Sequence, residues 1–293
     1  MHMIYQTRYS FFHPSPGWRS EASKEKKALF DSKRLARREY FFEKVTLRSL
    51  ADQTDQDFVL NVLASEDMPK KYKTRLTDLC KDSLGERAHV IFGAAEAPPR
   101  VHFRNYRWEY HAKDPWSCQI VLDDDDALAM DFNEKLKVEA FGVKNMRARG
   151  EKFGCISFAN GLTALFRDGK LELHRLTKPA INLGLAIVAP SKTKYNLFDI
   201  SHNNVPRDRP TRVIYSQSPY YIRSLHDDND SRGRYQDDAV SAEELDGMIQ
   251  YFPLLKDLIA EWNGAEPAPI KPAAAPRTKT ATRKKPAKTL TAE

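Results

Sequence analysis

The chain has 293 residues, 41% hydrophobic and 11% aromatic, enough for one large domain or two small ones around a substantial core. No run of about 18 apolar residues occurs, which excludes a single membrane-spanning helix of the usual kind. The net charge of +7 is concentrated in residues 264–293, where seven Lys/Arg face two Glu, so the rest of the chain carries no charge-based case for nucleic-acid binding.

The opening MHMIYQTRYSFF has no charged and apolar leader pattern and reads as a strand, Met3–Thr7. From Phe30 to Asp52, Leu35, Phe41 or Phe42, Val45, Leu47 and Leu50 recur at helical spacing between Arg and Lys residues. Asp57–Ala64 is a buried-strand run, Lys70–Asp82 a helix with Tyr72, Leu76 and Leu79 on one face, and His89–Phe92 a third strand. The alternation in NYRWEYHA predicts a half-exposed strand or loop carrying Tyr106, Trp108 and Tyr110, with Trp116 just beyond. These aromatics suit core packing or, alternatively, a platform for a sugar acceptor. Ser117–Leu122 is a fourth strand and Asp131–Phe141 a helix.

This alternation implies an α/β fold with a Rossmann-like, mainly parallel sheet flanked by helices. Beyond it, Gly154–Phe158, Gly161–Phe166, Lys170–His174 and Ala186–Val188 read as short strands with turns at Asn160-Gly161 and Asp168-Gly169, a small antiparallel addition in the C-terminal half. Ser241–Trp262 opens on a capping box, Ser241 to Glu244, and is interrupted at Pro253. Residues 1–262 form the expected globular body. Residues 263–293, rich in Pro, Ala and Lys, are expected to be disordered, serving as a solubilising tail or a weak tether to an anionic membrane surface or nucleic acid. Three separated cysteines, Cys80, Cys118 and Cys155, with no CxxC spacing, fit reduced thiols in the cytoplasm rather than a zinc site.

The chemistry concentrates in CQIVLDDDDALAMDF, where Asp123 to Asp126 follow the fourth strand. Ligands of parallel sheets bind at the carboxyl ends of strands, and four adjacent carboxylates there suit a shared Mn²⁺ or Mg²⁺. The alternative is a solvated acidic turn. On a turn after a strand, residues i and i+2 can point the same way, which favours Asp123 with Asp125 and leaves Asp124 or Asp126 for a ribose or an acceptor hydroxyl. Arg8, just past the first strand, suits a diphosphate charge or, alternatively, a surface salt bridge.

The segments RYSFF, RREYFFEKVTLRSLADQTDQDFVLNVLASEDMP, VLDDDDALAMDF, SHNNV and YYIRSLHDDNDS resemble those of GT-A glycosyltransferases, within them the bacterial family described as "putative rhamnosyltransferases". The resemblance spans residues 4 to about 232. It implies transfer of a sugar, rhamnose by the family's description, from a nucleotide-diphosphate sugar to a glycan or other acceptor hydroxyl. It also implies Asp123 and Asp125 as metal or nucleotide residues with Asp124 close by, His226 as a further metal ligand, and a base in FDISHNNV, either Asp199 or His202. Where many relatives contact the nucleobase with an acidic residue, this chain has Ala64-Ser65-Glu66-Asp67, which leaves Ser65 as the candidate. Clustered aspartates also serve metal-dependent phosphohydrolases and nucleotidyltransferases, which need a second acidic cluster, here HDDND. A third class is a non-catalytic protein docking through its basic tail.

Overall fold

The computed structural model describes residues 1–13, 25–146, 152–199, 201–226 and 235–264. The basic segment from residue 265 onward, and the Asp227–Asp230 part of HDDND, lie outside the described residues. In chain order the first half runs β1 (His2–Arg8), α1 (Lys26–Leu29), α2 (Ser32–Phe41), a π-helical stretch (Phe42–Leu47), α3 (Arg48–Ala51), β2 (Val59–Ser65), α4 (Lys70–Leu84), β3 (Ala88–Gly93), α5 (Pro99–Tyr110), β4 (Trp116–Val121), β5 (Ala127–Leu128) and α6 (Phe132–Met146). The second half runs β6 (Gly154–Phe158), β7 (Asn160–Arg167), β8 (Lys170–Thr177), β9 (Ala186–Pro190), α7 (Val205–Asp208), β10 (Thr211–Ile214), β11 (Tyr221–Leu225), α8 (Ala242–Tyr251) and α9 (Leu254–Asn263).

Seven strands form the main sheet in the order β10-β6-β9-β4-β1-β2-β3. β1 pairs in parallel with β2 and β4, β2 with β3 and β6 with β10, while β9 is antiparallel to β4 and β6. Met3 to Thr7 and Leu60 to Ser65 are buried throughout, as expected for parallel strands covered on both faces. The chain leaves β1 toward β2 and β3 on one side and returns as β4 on the other, so the switch point of the sheet lies between β1 and β4. The register Gln6 to Val121 brings the end of β1, with Arg8, and the end of β4, before Asp123, to the same edge.

A second sheet, β5-β11-β7-β8, is mixed: β5/β11 and β7/β8 are antiparallel and β7/β11 parallel. Two expectations are corrected here. β6 and β9 belong to the main sheet rather than to the addition, and Asn160-Gly161 is no turn. β7 starts at Asn160 and the chain crosses between sheets at Ala159, while Gly161 lies within β7 under the Tyr221 ring, where a Cβ would meet it at 2.3 Å. The Asp168-Gly169 turn is present, both residues at positive φ (53° and 72°), as a tight right-twisted hairpin requires.

The segment read as a strand or loop around Tyr106 is helix α5, opened by Pro99 at its first position. Trp108 and Tyr110 are exposed, not core, and Trp116 opens β4, so this aromatic group lies at the amino edge of the sheet, away from the aspartates. The capping box of α8 and the break at Pro253 occur as expected. Cys80, Cys118 and Cys155 are buried and free. Among the described residues no helix is long and apolar enough to cross a membrane.

Three histidines meet at that amino edge. The His2 and His111 rings bond at 3.2 Å, His111 reaches Asn61 Oδ1 at 3.3 Å, and the His89 ring lies 5.4 Å from that of His111. Burial lowers His111 from 6.5 to about 4, with His2, His89 and Arg107 adding to the effect. A histidine that resists protonation only when folded is protonated preferentially by the unfolded chain, so stability is complete above its unfolded pKa and falls as pH drops toward the folded one. In urea denaturation between about pH 4 and 8, the part of the stability that His111 contributes should be steady above 6.5 and fall below it by on the order of 2 kcal/mol. His111→Gln should flatten that part of the slope; an unchanged slope would assign it elsewhere.

Candidate active site

Asp123 to Asp126 leave β4 as a turn, the Asp126 amide donating to the Asp123 carbonyl at 3.4 Å. The Thr46 hydroxyl clamps it from the π-helical stretch, donating to the Asp126 carbonyl at 2.9 Å and lying 3.4 Å from that of Asp123. That wider stretch buries Phe42, Val45, Thr46 and Leu47, more of its circumference than one α-helical stripe covers.

The turn does not continue the regular alternation of β4. Each carboxylate instead meets a different element. Asp123, part-exposed, accepts from Asn182 Nδ2 at 3.1 and 3.2 Å. Asp124, buried, accepts from the Arg38 guanidinium on α2. Asp125, buried, lies 3.8 Å from the same guanidinium and 3.2 Å from His226 Nε2. Asp126, buried, accepts from the Ser224 amide of β11 at 2.9 Å and so ties the second sheet to the turn. The Phe41 ring stacks on His226 at 4.1 Å and 9°, fixing the imidazole plane.

Electrostatics separate the three buried ones. Burial raises Asp124 to about 7 against the pull of Arg38, with Asp125 and Asp123 pushing it further up. Burial and the same neighbours hold Asp126 well above the usual carboxylate range. Burial pushes Asp125 up as well, but the His226 hydrogen bond and Arg38 outweigh it, and its net shift is downward. Asp125 is therefore the buried carboxylate of the turn that favours its charged form.

Of the remaining candidates, Arg8 ends β1 with its guanidinium 5.3 Å above the Phe198 ring. Ser65 ends β2, buried, its Oγ accepting from the Phe12 amide at 2.6 Å and so anchoring the loop that follows β1. The structure does not join Asp199 to the aspartates: its carboxylate meets Arg100 at 3.0 Å and the Asn196 amide at 3.1 Å. His202 lies in a short 3₁₀ turn near enough to Asp123 to feel it. Burial, Lys178 and Arg223 lower its pKa while Asp123 raises it, and the net shift is downward, favouring the neutral imidazole. Arg107, fully buried on α5, donates to the Ser191 carbonyl at 3.0 Å and to Gln119 Oε1, bracing the loop that leads to Asp199 and His202.

Arg38, Thr46, Asn182 and Ser224 were not legible as site residues. Arg38 left one trace: it stands three residues after Leu35 and four before Phe42, on the apolar face where a charge needs a partner.

Among the described residues no three His, Cys, Asp or Glu side chains form a ready-made metal cluster. Asp125 and His226 are the pair brought together; Asp123 is drawn to Asn182 instead. Asp124 Oδ2 is buried and makes no hydrogen bond among the described residues. That donor set fits an ion such as Mg²⁺ or Mn²⁺, which takes one or two carboxylates from a protein and fills its shell with substrate phosphate oxygens and water.

A parallel sheet with an acidic turn at the carboxyl end of its central strand, beside the switch point, defines an α/β protein with a ligand crevice at that edge. Residues 2–238 match the family described as "Putative rhamnosyl transferase", and the chain belongs to that family. Among solved structures it is similar to residues 1–349 of TarS from S. aureus, at 9% identity and a TM-score of 0.39 over 76% of this chain and 60% of that one. The same fragment in complex with UDP gives 8% identity and 0.41 over 77% and 61%. A putative nucleotide-diphospho-sugar transferase from Desulfovibrio desulfuricans G20 gives 11% and 0.36 over 90% and 98%. The chain thus spans about three fifths of the TarS fragment, and at these scores no residue of one is matched to a residue of the other. No curated protein matches the sequence.

Removing one partner of a buried ion pair leaves an uncompensated charge and costs about 3–5 kcal/mol. Arg38→Met is expected to lose that much in urea denaturation. Adding Asp124→Asn should recover part of it, and a single-variant loss below about 1 kcal/mol would show that the pair does not hold the turn.

Proposed function

We propose that this protein is a glycosyltransferase that moves a sugar from a nucleotide-diphosphate sugar to an acceptor hydroxyl at the Asp123–Asp126 turn. The observation that carries the reading is the turn itself, set at the switch point of the sheet in a chain of the rhamnosyl transferase family. Rhamnose as the sugar rests on the family's description, and the donor base on no residue beyond Ser65.

A divalent Mn²⁺ or Mg²⁺ would be held by Asp125 and His226, with Asp123 and Asp124 on either hand. When bound, it supplies Lewis-acid stabilisation of the charge on the departing diphosphate. The protein's own residues do the rest. His226, pinned between Phe41 and Asp125, sets the carboxylate's direction. Arg8, at the same edge, is suited to the donor's phosphates. For the proton of the attacking hydroxyl, His202 is better placed than Asp199: it favours the neutral form, ready to accept, whereas Asp199 is committed to Arg100 and Asn196.

The test is a thermal-shift screen of uridine, thymidine and guanosine diphosphates with and without Mn²⁺, followed by donor turnover. A ligand that binds only the native state raises the melting temperature. Asp125→Asn should abolish the Mn²⁺-dependent shift and reduce Mn²⁺-dependent turnover by more than about 100-fold, beyond the cost of losing an outer-shell partner, while melting as a folded protein. Full activity in Asp125→Asn would remove the metal assignment. His202→Gln should lower transfer by roughly 10²–10⁴-fold with nucleotide binding intact; an undiminished rate would return the base role to another group.

A further inference from the structure

A cavity of about 410 Å³ opens beside the aspartate turn. Tyr40 and Phe41 from the end of α2, Phe166 from β7 and Trp262 from α9 form its walls, and His226 closes one side. The rings hold one another in place. Trp262 Nε1 donates to the Tyr40 hydroxyl at 2.8 Å, and the Phe166 ring meets those of Trp262 and Phe41 edge-on at 5.0 and 4.9 Å. Phe41 and Phe166 are buried, whereas Tyr40 and Trp262 are half-exposed. The same His226 that faces the cavity bonds Asp125, so whatever fills the cavity lies one side chain from the acidic turn.

The lining selects a ligand class. Among the described lining residues, two arginines, Arg37 and Arg167, are balanced by Asp168 and Glu261, so these side chains together carry no formal net charge that would select an anion. Aromatic faces carry negative π density that attracts polarised C–H groups, and carboxylate and guanidinium groups accept from and donate to hydroxyls. A ring with an apolar C–H face and a polar periphery satisfies both. The volume sits near the lower end of small-ligand sites, room for one such unit rather than an extended polymer. We propose that this cavity binds a neutral pyranose unit of the acceptor glycan, with Trp262 and Tyr40 as its stacking surface. The proposal rests on the glycosyltransferase reading and adds to it where, and by what chemistry, an acceptor is recognised.

The experiment uses the full chain and a panel of neutral methyl pyranosides, methyl α-L-rhamnopyranoside among them, observed by saturation-transfer NMR, with the nucleoside diphosphate and Mn²⁺ thermal shift run in parallel. At least one pyranoside should bind, with transfer strongest to its ring C–H protons. Trp262→Ala should weaken binding up to about tenfold, the scale of one aromatic contact. Glu261→Trp, a change on the exposed rim that does not touch the core, should fill the mouth and abolish binding. Binding that survives Glu261→Trp unchanged overturns the assignment, even if Trp262→Ala proves unstable. No pyranoside binding by a protein that does bind a nucleoside diphosphate overturns the cavity proposal alone. Pyranoside binding sensitive to Glu261→Trp, with no nucleotide binding, upholds the cavity and overturns the transferase reading.

Discussion

The contact on which the site depends is the buried guanidinium of Arg38 against the carboxylates of Asp124 and Asp125. Two unit charges about 4 Å apart repel by about 4 kcal/mol at the effective dielectric of a protein's outer layers. A row of carboxylates at the end of a buried strand is therefore untenable unless something divides or neutralises it. The fold does both. A turn fans the four side chains toward four different partners, and a long helix that belongs to neither strand nor turn delivers one fixed cation to the two in the middle. Because α2 runs on through the π-helical stretch into α3, the helix that carries Arg38 also carries Thr46, so the positions of charge and backbone clamp are set together.

The scaffold makes that arrangement persistent. β4 is paired on both edges, with β1 and β9, so the turn begins from a strand that cannot drift. β11 reaches the turn from the second sheet through the Ser224 amide, and its continuation delivers His226. The loop carrying Asp199 and His202 is braced from below: Asn196 donates to both Gln6 and Gln119, side chains of neighbouring central strands, at 3.1 and 3.2 Å. Buried amides in a parallel sheet would cost free energy without partners; here they are the bolts that fasten a functional loop to the core.

The first half of the chain was legible because its signals are local. β1, β2, β4 and the helices over 32–51 and 70–84 declare themselves by apolar runs and helical spacing. Helix α5 was misread because its aromatics alternate with polar residues over a short span, a pattern in which period 2 and a one-sided helix look alike. β10 and β11 are short and owe their existence to pairing partners far away in sequence, β6 and β7. The aspartates were visible as a site, but their division of labour was not. That division follows from Asn182, Ser224 and Arg38, each about 60 to 100 residues away, and no spacing rule connects them. Arg38 was hidden by its own residue type, since an arginine on a helix usually reads as a solvent-facing residue.

This division explains why a chain would keep four aspartates where chemistry needs fewer. Asp126 holds the second sheet and Asp123 the loop before β9, each through a single well-formed contact. Asp124 accepts from Arg38, which opposes the upward push that burial gives its pKa. Asp125 alone combines a lowered pKa with an imidazole oriented by stacking. A carboxylate meant to meet a cation must stay charged while buried, and neighbours that take up the structural load leave it free to do so. His226 and Arg38 keep Asp125 ionised, and the three flanking aspartates hold the turn that aims it, which is why the motif reads as redundant in sequence and is not so in space.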